Sequence, residues 1–197
     1  YQNLSGQSKC IHCPMGTYNE KLGINDINHC IPCEKGTYSS TLSAITSETC
    51  LISPIGTYVS ILGSPNYTHC KPGYYQNNLK QSSCISCPAG KYNLDYKSTN
   101  VSSCIISPIG NYVSKEGSNT YIPCELGNYS NIAGAVNCKL CNPGNFTDKI
   151  GSINCQQCPS GKYTLYHGAN NCNNIGLPVI SVHNITQTSY SVRVNTN

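Results

Sequence analysis

Five pairs of cysteines stand two residues apart, Cys10/Cys13, Cys30/Cys33, Cys84/Cys87, Cys138/Cys141 and Cys155/Cys158, and five more stand singly, Cys50, Cys70, Cys104, Cys124 and Cys172. Thiols in such numbers support three chemistries. Dithiol exchange needs one sulfur held as thiolate beside a helix N-terminus or a cation, zinc needs four ligands converging in a tetrahedron, and structural disulfides need only partners at a fixed distance. The redox reading lacks the alternating strand and helix pattern that carries such a motif. Zinc has one serious local match, Cys10-x₂-Cys13-x₁₆-Cys30-x₂-Cys33 with His12 inside the first pair. Cys84/Cys87 has no second pair within about 30 residues to complete a site of the usual spacing, and four single cysteines separate these pairs. His12, His29, His69, His167 and His183 keep no common position relative to the cysteines, so they read as solvated surface imidazoles. No metal is expected. There is no Gly-x-Ser-x-Gly, no glycine loop for phosphate, no His-Glu-x-x-His, and the eight acidic residues are dispersed, so no enzyme is expected either.

The elements that would position these sulfurs announce themselves as a repeat. Gly-x-aromatic occurs nine times, from Gly16-Thr17-Tyr18 to Gly161-Lys162-Tyr163, with steps between the glycines of 20, 20, 17, 17, 20, 17, 17 and 17. The glycine is expected to supply a turn residue with φ > 0. The ring after it, Tyr18, Tyr38, Tyr58, Tyr75, Tyr92, Tyr112, Tyr129, Phe146 or Tyr163, is expected to stack on the neighbouring module as its main apolar contact. Cysteines take two positions, six and three residues before each glycine. A longer period is superposed: residues 30–83 align without a gap on 84–137 at a spacing of 54, with 21 identities.

Losses within the repeat point to a connectivity. Ser53 and Tyr67 stand where the second cysteine of one module and the first of the next would be, and so do Ser107 and Tyr121. If the second cysteine of each module bonds the first of the next, the bridges are Cys13–Cys30, Cys33–Cys50, Cys70–Cys84, Cys87–Cys104, Cys124–Cys138, Cys141–Cys155 and Cys158–Cys172. Each double loss then removes both halves of one bridge. Cys10 is left for a cysteine in an upstream module or in another subunit. An alternative closes each Cys-x-x-Cys on itself and joins Cys50–Cys70 and Cys104–Cys124, leaving Cys172 over. It is physically weaker, because such small rings tie no module to another.

Leu, Ile, Val and Phe number 39 of 197 residues, and there is no Trp. A large aliphatic core is excluded, and disulfides are expected to replace it. The expected fold is a small disulfide-rich, mostly β or irregular chain: an elongated tandem-repeat rod of about nine modules of 17–20 residues over 1–176, followed at 177–197 by a β segment. That segment runs Pro178, Val179, Ile180, Val182 and Ile185, then a polar turn, then Tyr190, Val192 and Val194. It reads as two strands that begin a β-sandwich-like domain or serve in assembly. A net charge of +4 without basic runs excludes nucleic acid as partner, and no stretch has the roughly 18 apolar residues of a membrane span. Sequons at Asn3, Asn66, Asn100, Asn128, Asn145 and Asn184 are candidates for N-linked glycans. Asn128 and Asn145 are expected to point outward from the middle of the turn. No other cofactor is expected.

Cys-x₂-Cys-Pro-x-Gly-x-Tyr, as in Cys10 to Tyr18 and Cys84 to Tyr92, resembles the cysteine-rich repeat of ephrin-receptor ectodomains (GCC2/GCC3 repeat) and is similar to half-modules of tumour necrosis factor receptors. The resemblance covers about residues 8–172 and implies an extracellular rod of small β modules. The run Asn184 to Val192 resembles, over a short stretch, the first strands of a fibronectin type III domain. Three uses fit: a structural spacer within a longer cell-surface or filament-forming glycoprotein, partnered by copies of itself or by neighbouring domains; a receptor ectodomain with a protein ligand; and a protist surface coat antigen. The lone first-phase Cys10 and a first residue that is not Met make a longer assembly the expectation.

Overall fold

The computed structural model describes residues 12–21 and 26–174, together with the backbone of one strand pair beyond them. The expectations for Asn3, Cys10, His183 and Asn184 lie outside the described residues.

Each module opens on a tight turn. In module 1 the Thr17 N–H donates to the Pro14 carbonyl at 3.1 Å, and Gly16 between them has φ 84°. This is the geometry of a type II turn, whose third position requires φ > 0. All nine glycines of the Gly-x-aromatic series lie between φ 74° and 87°. The middle residue is often Thr or Asn because its side chain braces the turn: Thr17, Thr37 and Thr57 Oγ1 donate to the carbonyls of Pro14, Glu34 and Pro54 at 2.8, 2.7 and 2.6 Å. Asn111 Nδ2 donates to the Ile109 carbonyl at 3.0 Å.

After the turn, two residues form a strand and pair antiparallel with the two residues inside the next Cys-x-x-Cys. Thr17–Tyr18 pairs with Ile31–Pro32, with Tyr18 opposite Ile31. The same register recurs through Lys162–Tyr163 with Asn173–Asn174. Such a hairpin is marginal alone. Each is therefore held by its bridge and by its neighbours.

The two module lengths have one cause. The three longer steps, from Gly16 to Gly36, Gly36 to Gly56 and Gly90 to Gly110, each hold a single 3₁₀ turn just before the cysteine: Ile27–His29, Ser47–Thr49 and Val101–Ser103. One such turn takes three residues, which is the whole difference between a long step and a short one. Asp26 and Asn100 cap the first and third of these turns, accepting the N–H of Asn28 and of Ser102, each at 2.9 Å.

Modules stack by backbone hydrogen bonds that repeat like a ladder. The turn glycine N–H of one module donates to the carbonyl of the residue after the next module's aromatic: Gly16 to Ser39, Gly56 to Gln76, Gly90 to Val113, Gly144 to Thr164, at 2.7–2.8 Å. That same residue's N–H donates one module further, as Val59 to Gln81 at 2.9 Å. The core is thus a narrow column and not a globular interior. It consists of the residue after each aromatic (Ser39, Val59, Gln76, Asn93, Val113, Ser130) and the second cysteine position (Cys33, Ser53, Cys70, Cys87, Ser107, Cys124), all at most 2% exposed. Polar side chains are tolerated there where they find partners. Gln76 Nε2 donates to the Ser83 carbonyl at 2.8 Å, and Asn93 Nδ2 to Ser98 Oγ at 2.9 Å. The expected role of the rings is modified accordingly. They are half-buried, and Tyr163 at the last module is exposed; the deepest packing belongs to the residue that follows them, since the ribbon's pleat turns successive side chains to opposite faces.

The result is a quasi-one-dimensional disulfide-rich rod with almost no helix, built from short antiparallel strand pairs in tandem.

Candidate functional site

Among the described residues the candidate site is the module-to-module junction itself, since that is where the sulfur chemistry is spent. Bridges join Cys13–Cys30, Cys33–Cys50, Cys70–Cys84, Cys87–Cys104, Cys124–Cys138, Cys141–Cys155 and Cys158–Cys172. Their Cα–Cα separations run from 5.5 to 5.8 Å, inside the range disulfides require. Sequence separations are 17 where the 3₁₀ turn is present and 14 where it is absent. The sulfurs of Cys-x-x-Cys part to opposite sides of a junction, so Cys13 and Cys33, which a zinc ribbon would bring together, belong to different bridges. No group of three or more His, Cys, Asp or Glu able to hold a metal occurs among the described residues. His12, His29 and His167 are exposed.

The two junctions without a bridge are filled differently. Tyr67 lies edge-on to Tyr38, ring centroids 5.0 Å apart at 78°, and also meets His69 at 5.4 Å. One super-repeat later, Tyr121 meets Tyr92 at 5.2 Å and 75°. These are favourable quadrupolar geometries. The opposite half of each lost bridge is a fully buried serine. Ser53 Oγ accepts the Gln81 N–H at 3.2 Å. One super-repeat on, Ala135 stands in the place of Gln81, and Ser107 Oγ has no partner among the described residues.

A second left-handed position, outside the Gly-x-aromatic series, lies seven residues after each turn glycine from Gly36 to Gly161. It is held by Ser43, Gly63, Lys80, Lys97, Gly117, Gly134, Gly151 and Gly168, with φ 57–74°. Its N–H donates back to the carbonyl at the second-cysteine position of the preceding module, as Gly63 to Cys33 at 2.9 Å and Gly151 to Cys124 at 2.7 Å. Its own carbonyl presses on the turn glycine two modules earlier. A Cβ on Gly73 would collide with the Gly117 carbonyl, and one on Gly127 with that of Gly168. The signal was present in the sequence as a second glycine series, broken by three ordinary residues.

The strand residue after each first-cysteine position forms a flank. Ile31, Leu51, Ile85, Ile105 and Ile122 are 41–52% exposed there, each directly opposite an aromatic, and the series is interrupted by the exposed Thr68 opposite Tyr58. Over the last modules the same position becomes Lys139, Gln156 and Asn173. Electrostatics add little. One ion pair between modules, Lys80 with Glu34 at 3.3 Å, is exposed and contributes little stability.

Of the sequons, Asn66 and Asn100 are exposed, while Asn128 and Asn145 are half-buried. The last two donate weakly from Nδ2 to the carbonyls of Leu126 and Pro143, both at 3.4 Å, so the turn holds them closer than the outward placement expected for them.

Residues 56–104 and 110–154, just under half of the chain, match the family described as tyrosine-protein kinase ephrin type A/B receptor-like. Both matches begin on a turn glycine, one super-repeat apart. The two matched segments are similar to ephrin-receptor-like cysteine-rich repeats. No curated protein matches the chain. Repeats of this type are typically non-enzymatic extracellular modules. With seven disulfides, which persist in oxidising compartments, the chain reads as an extracellular repeat protein or part of a receptor ectodomain. No helix among the described residues is long and apolar enough to cross a membrane.

Proposed function

We propose that the chain is a stiff extracellular spacer, a segment of a longer cell-surface or filament-forming glycoprotein that extends and assembles and catalyses nothing. The observation that carries this reading is the uninterrupted ladder from the turn glycines Gly16 to Gly144 to the next module, reinforced by seven bridges and, where two bridges are lost, by a tyrosine pair. Bending such a stack breaks backbone bonds at every joint, so it resists bending. Small-angle scattering of the secreted chain tests it. An elongated profile that collapses on reduction is expected, and a compact profile for the oxidised chain would sink the proposal.

Solubility in a rod so poor in charge is ascribed to sugar. Asn66 and Asn100 are the sites of choice, being exposed, and Asn100 commits its Oδ1 and not its Nδ2 to the cap of the 3₁₀ turn. Glycopeptide mass spectrometry should find hexosamine on these two ahead of Asn128 and Asn145. Bare asparagine at all four would count against a secreted glycoprotein.

The flank of Ile31, Leu51, Ile85, Ile105 and Ile122 supports a second reading, in which this edge binds a protein, either another copy of the rod or a ligand. An apolar stripe confined to part of a repeat array is more than a monomer needs. Ile105→Lys with Ile122→Lys should lower self-association by analytical ultracentrifugation; unchanged sedimentation would leave the spacer without lateral contacts.

A further inference from the structure

Two departures from the repeat meet beside the Cys33–Cys50 bridge. Two residues before the turn glycine the chain has Pro five times in nine, as at Pro14, Pro54 and Pro88, but in module 2 it has Glu34. At the second left-handed position five of eight residues are glycine, but in module 4 it is Lys80, at φ 57°. The two side chains pair, Lys80 Nζ with Glu34 Oε2 at 3.3 Å. Stability does not account for this choice of residues. The pair is exposed, 52% and 78% for the two side chains, and such pairs are worth little, while a lysine in the left-handed region is strained relative to glycine. Lys97 holds the same position one module on, over Gly56, where Pro54 stands in the place of Glu34. Glu125, in the place of Glu34 in module 7, has Gly168 two modules on. Acid and base coincide only at this junction among the described residues. Both sit on fixed backbone. The Glu34 carbonyl accepts the Thr37 N–H at 3.0 Å and Thr37 Oγ1 at 2.7 Å. The Lys80 N–H donates to the Ser53 carbonyl at 3.0 Å, and the Lys80 carbonyl lies against Gly36. Next to the pair opens a hollow of about 250 Å³, whose lining includes Tyr18, Pro32, Glu34, Ser47 and Lys80.

We propose that this hollow binds one neutral sugar ring. The paired carboxylate and ammonium set the ligand's charge. An anion gains at Lys80 and is repelled by Glu34, and a cation meets the reverse, so neither profits while the pair is intact. A neutral ligand with neighbouring hydroxyls satisfies both at once, because each hydroxyl donates and accepts: one donates to the Glu34 carboxylate and the next accepts from the Lys80 ammonium. The Ser47 hydroxyl is a third polar group on the same wall. Tyr18 and Pro32 supply rings against which the C–H face of a pyranose packs. Size restricts the ligand further. The hollow lies below the roughly 300–1,000 Å³ of sites for drug-sized ligands, so it takes a single ring and not an oligosaccharide. Because the backbone of Glu34 and Lys80 is already fixed, binding orders little beyond the two side-chain ends. Their exposure keeps the affinity low. The site is independent of what the apolar flank of the rod binds.

NMR titration of the full oxidised chain with the methyl glycosides of glucose, galactose and N-acetylglucosamine tests it. At least one of them should give saturable shifts at the Tyr18, Ser47 and Lys80 amides, with a dissociation constant in the millimolar range. Glu34→Pro with Lys80→Gly restores the residue types of the other modules. That variant should fold with its bridges intact by peptide mapping and bind roughly 10-fold more weakly. Lys97→Gly should bind like the unaltered chain. Titration before and after N-glycosidase treatment separates the sources: binding in both forms indicates a sugar of another molecule, and binding only after treatment a glycan of this chain. The absence of saturable shifts with all three glycosides overturns the proposal. So does binding that Glu34→Pro with Lys80→Gly leaves unchanged, or that Lys97→Gly weakens equally. A stronger response to acetate or methylammonium than to the glycosides also overturns it, in favour of a charged ligand.

Discussion

A single hydrogen atom decides what the turn positions tolerate. Gly73 has φ 87° and its Cβ direction runs into the Gly117 carbonyl, while Gly161, at φ 79°, has nothing within 4 Å among the described residues. Gly73→Ala therefore combines left-handed strain with a backbone clash and should cost about 2–4 kcal/mol, whereas Gly161→Ala should cost about 1 kcal/mol, the strain alone. Denaturant titration of both variants checks the difference, and equal losses would mean that the close approach between modules is unimportant. Charge matters at one residue. The Asp26 carboxylate is held below the ordinary carboxylate range, chiefly because it accepts the Asn28 N–H. A lowered folded-state value means that the ionised form contributes stability above the unfolded value near pH 4, lost as the pH falls through the folded value. The group is exposed, so the effect is small: Asp26→Asn should lower stability slightly at neutral pH and flatten the acid-side loss, so that the two proteins converge at low pH in denaturant titrations.

At the scale of the hairpin, a disulfide and an aromatic pair are interchangeable solutions to one problem, the weakness of two-residue strands. Ser53 and Tyr67 lie 14 residues apart in sequence, the separation of Cys70 and Cys84. Ser53→Cys with Tyr67→Cys should close a bridge and raise stability by about 2 kcal/mol, the roughly 3 kcal/mol expected of such a loop less about 1 kcal/mol for the tyrosine contact. Thiol titration and the thermal midpoint report the outcome; two reactive thiols would show that these junctions have drifted from the shape of the others. The 3₁₀ turn is a second exchangeable part. It lengthens a loop by one turn without moving the strands it separates, which is why the longer and the shorter bridged loops share the same Cα spacing.

For the whole molecule, a stack whose contacts stop one or two modules away can be shortened. Deleting residues 84–137 removes one copy of the super-repeat and abuts Ser83 to Cys138, so Cys70 should take Cys138 as its partner in place of Cys84. The shortened chain should fold with five bridges and a smaller radius of gyration, measured by disulfide mapping and scattering. Scrambled bridges would show that distant modules fold as one cooperative body. Stability in such arrays is a sum of module and neighbour terms, so the loss should be proportionate and not catastrophic.

What the sequence determined by itself was whatever repeats in one dimension: the module lengths, the glycine turns, the phases of cysteine, and the double losses at Ser53/Tyr67 and Ser107/Tyr121 that tie one cysteine's absence to another's. Those are legible because a turn with φ > 0 and a covalent bond each demand a particular residue type at a particular place. The interior was decided only by the stacked structure. Nothing about Ser39, Gln76 or Asn93 as residue types marks them as the most buried side chains. They are buried because their backbone groups are bonded to the modules on either side, which holds polar side chains in a column too narrow for an aliphatic core. The half-buried rings, the closer hold on Asn128 and Asn145, and the contact of Tyr67 with a ring two modules back likewise depend on which surfaces meet, and that is set by the angle between successive hairpins and not by spacing along the chain.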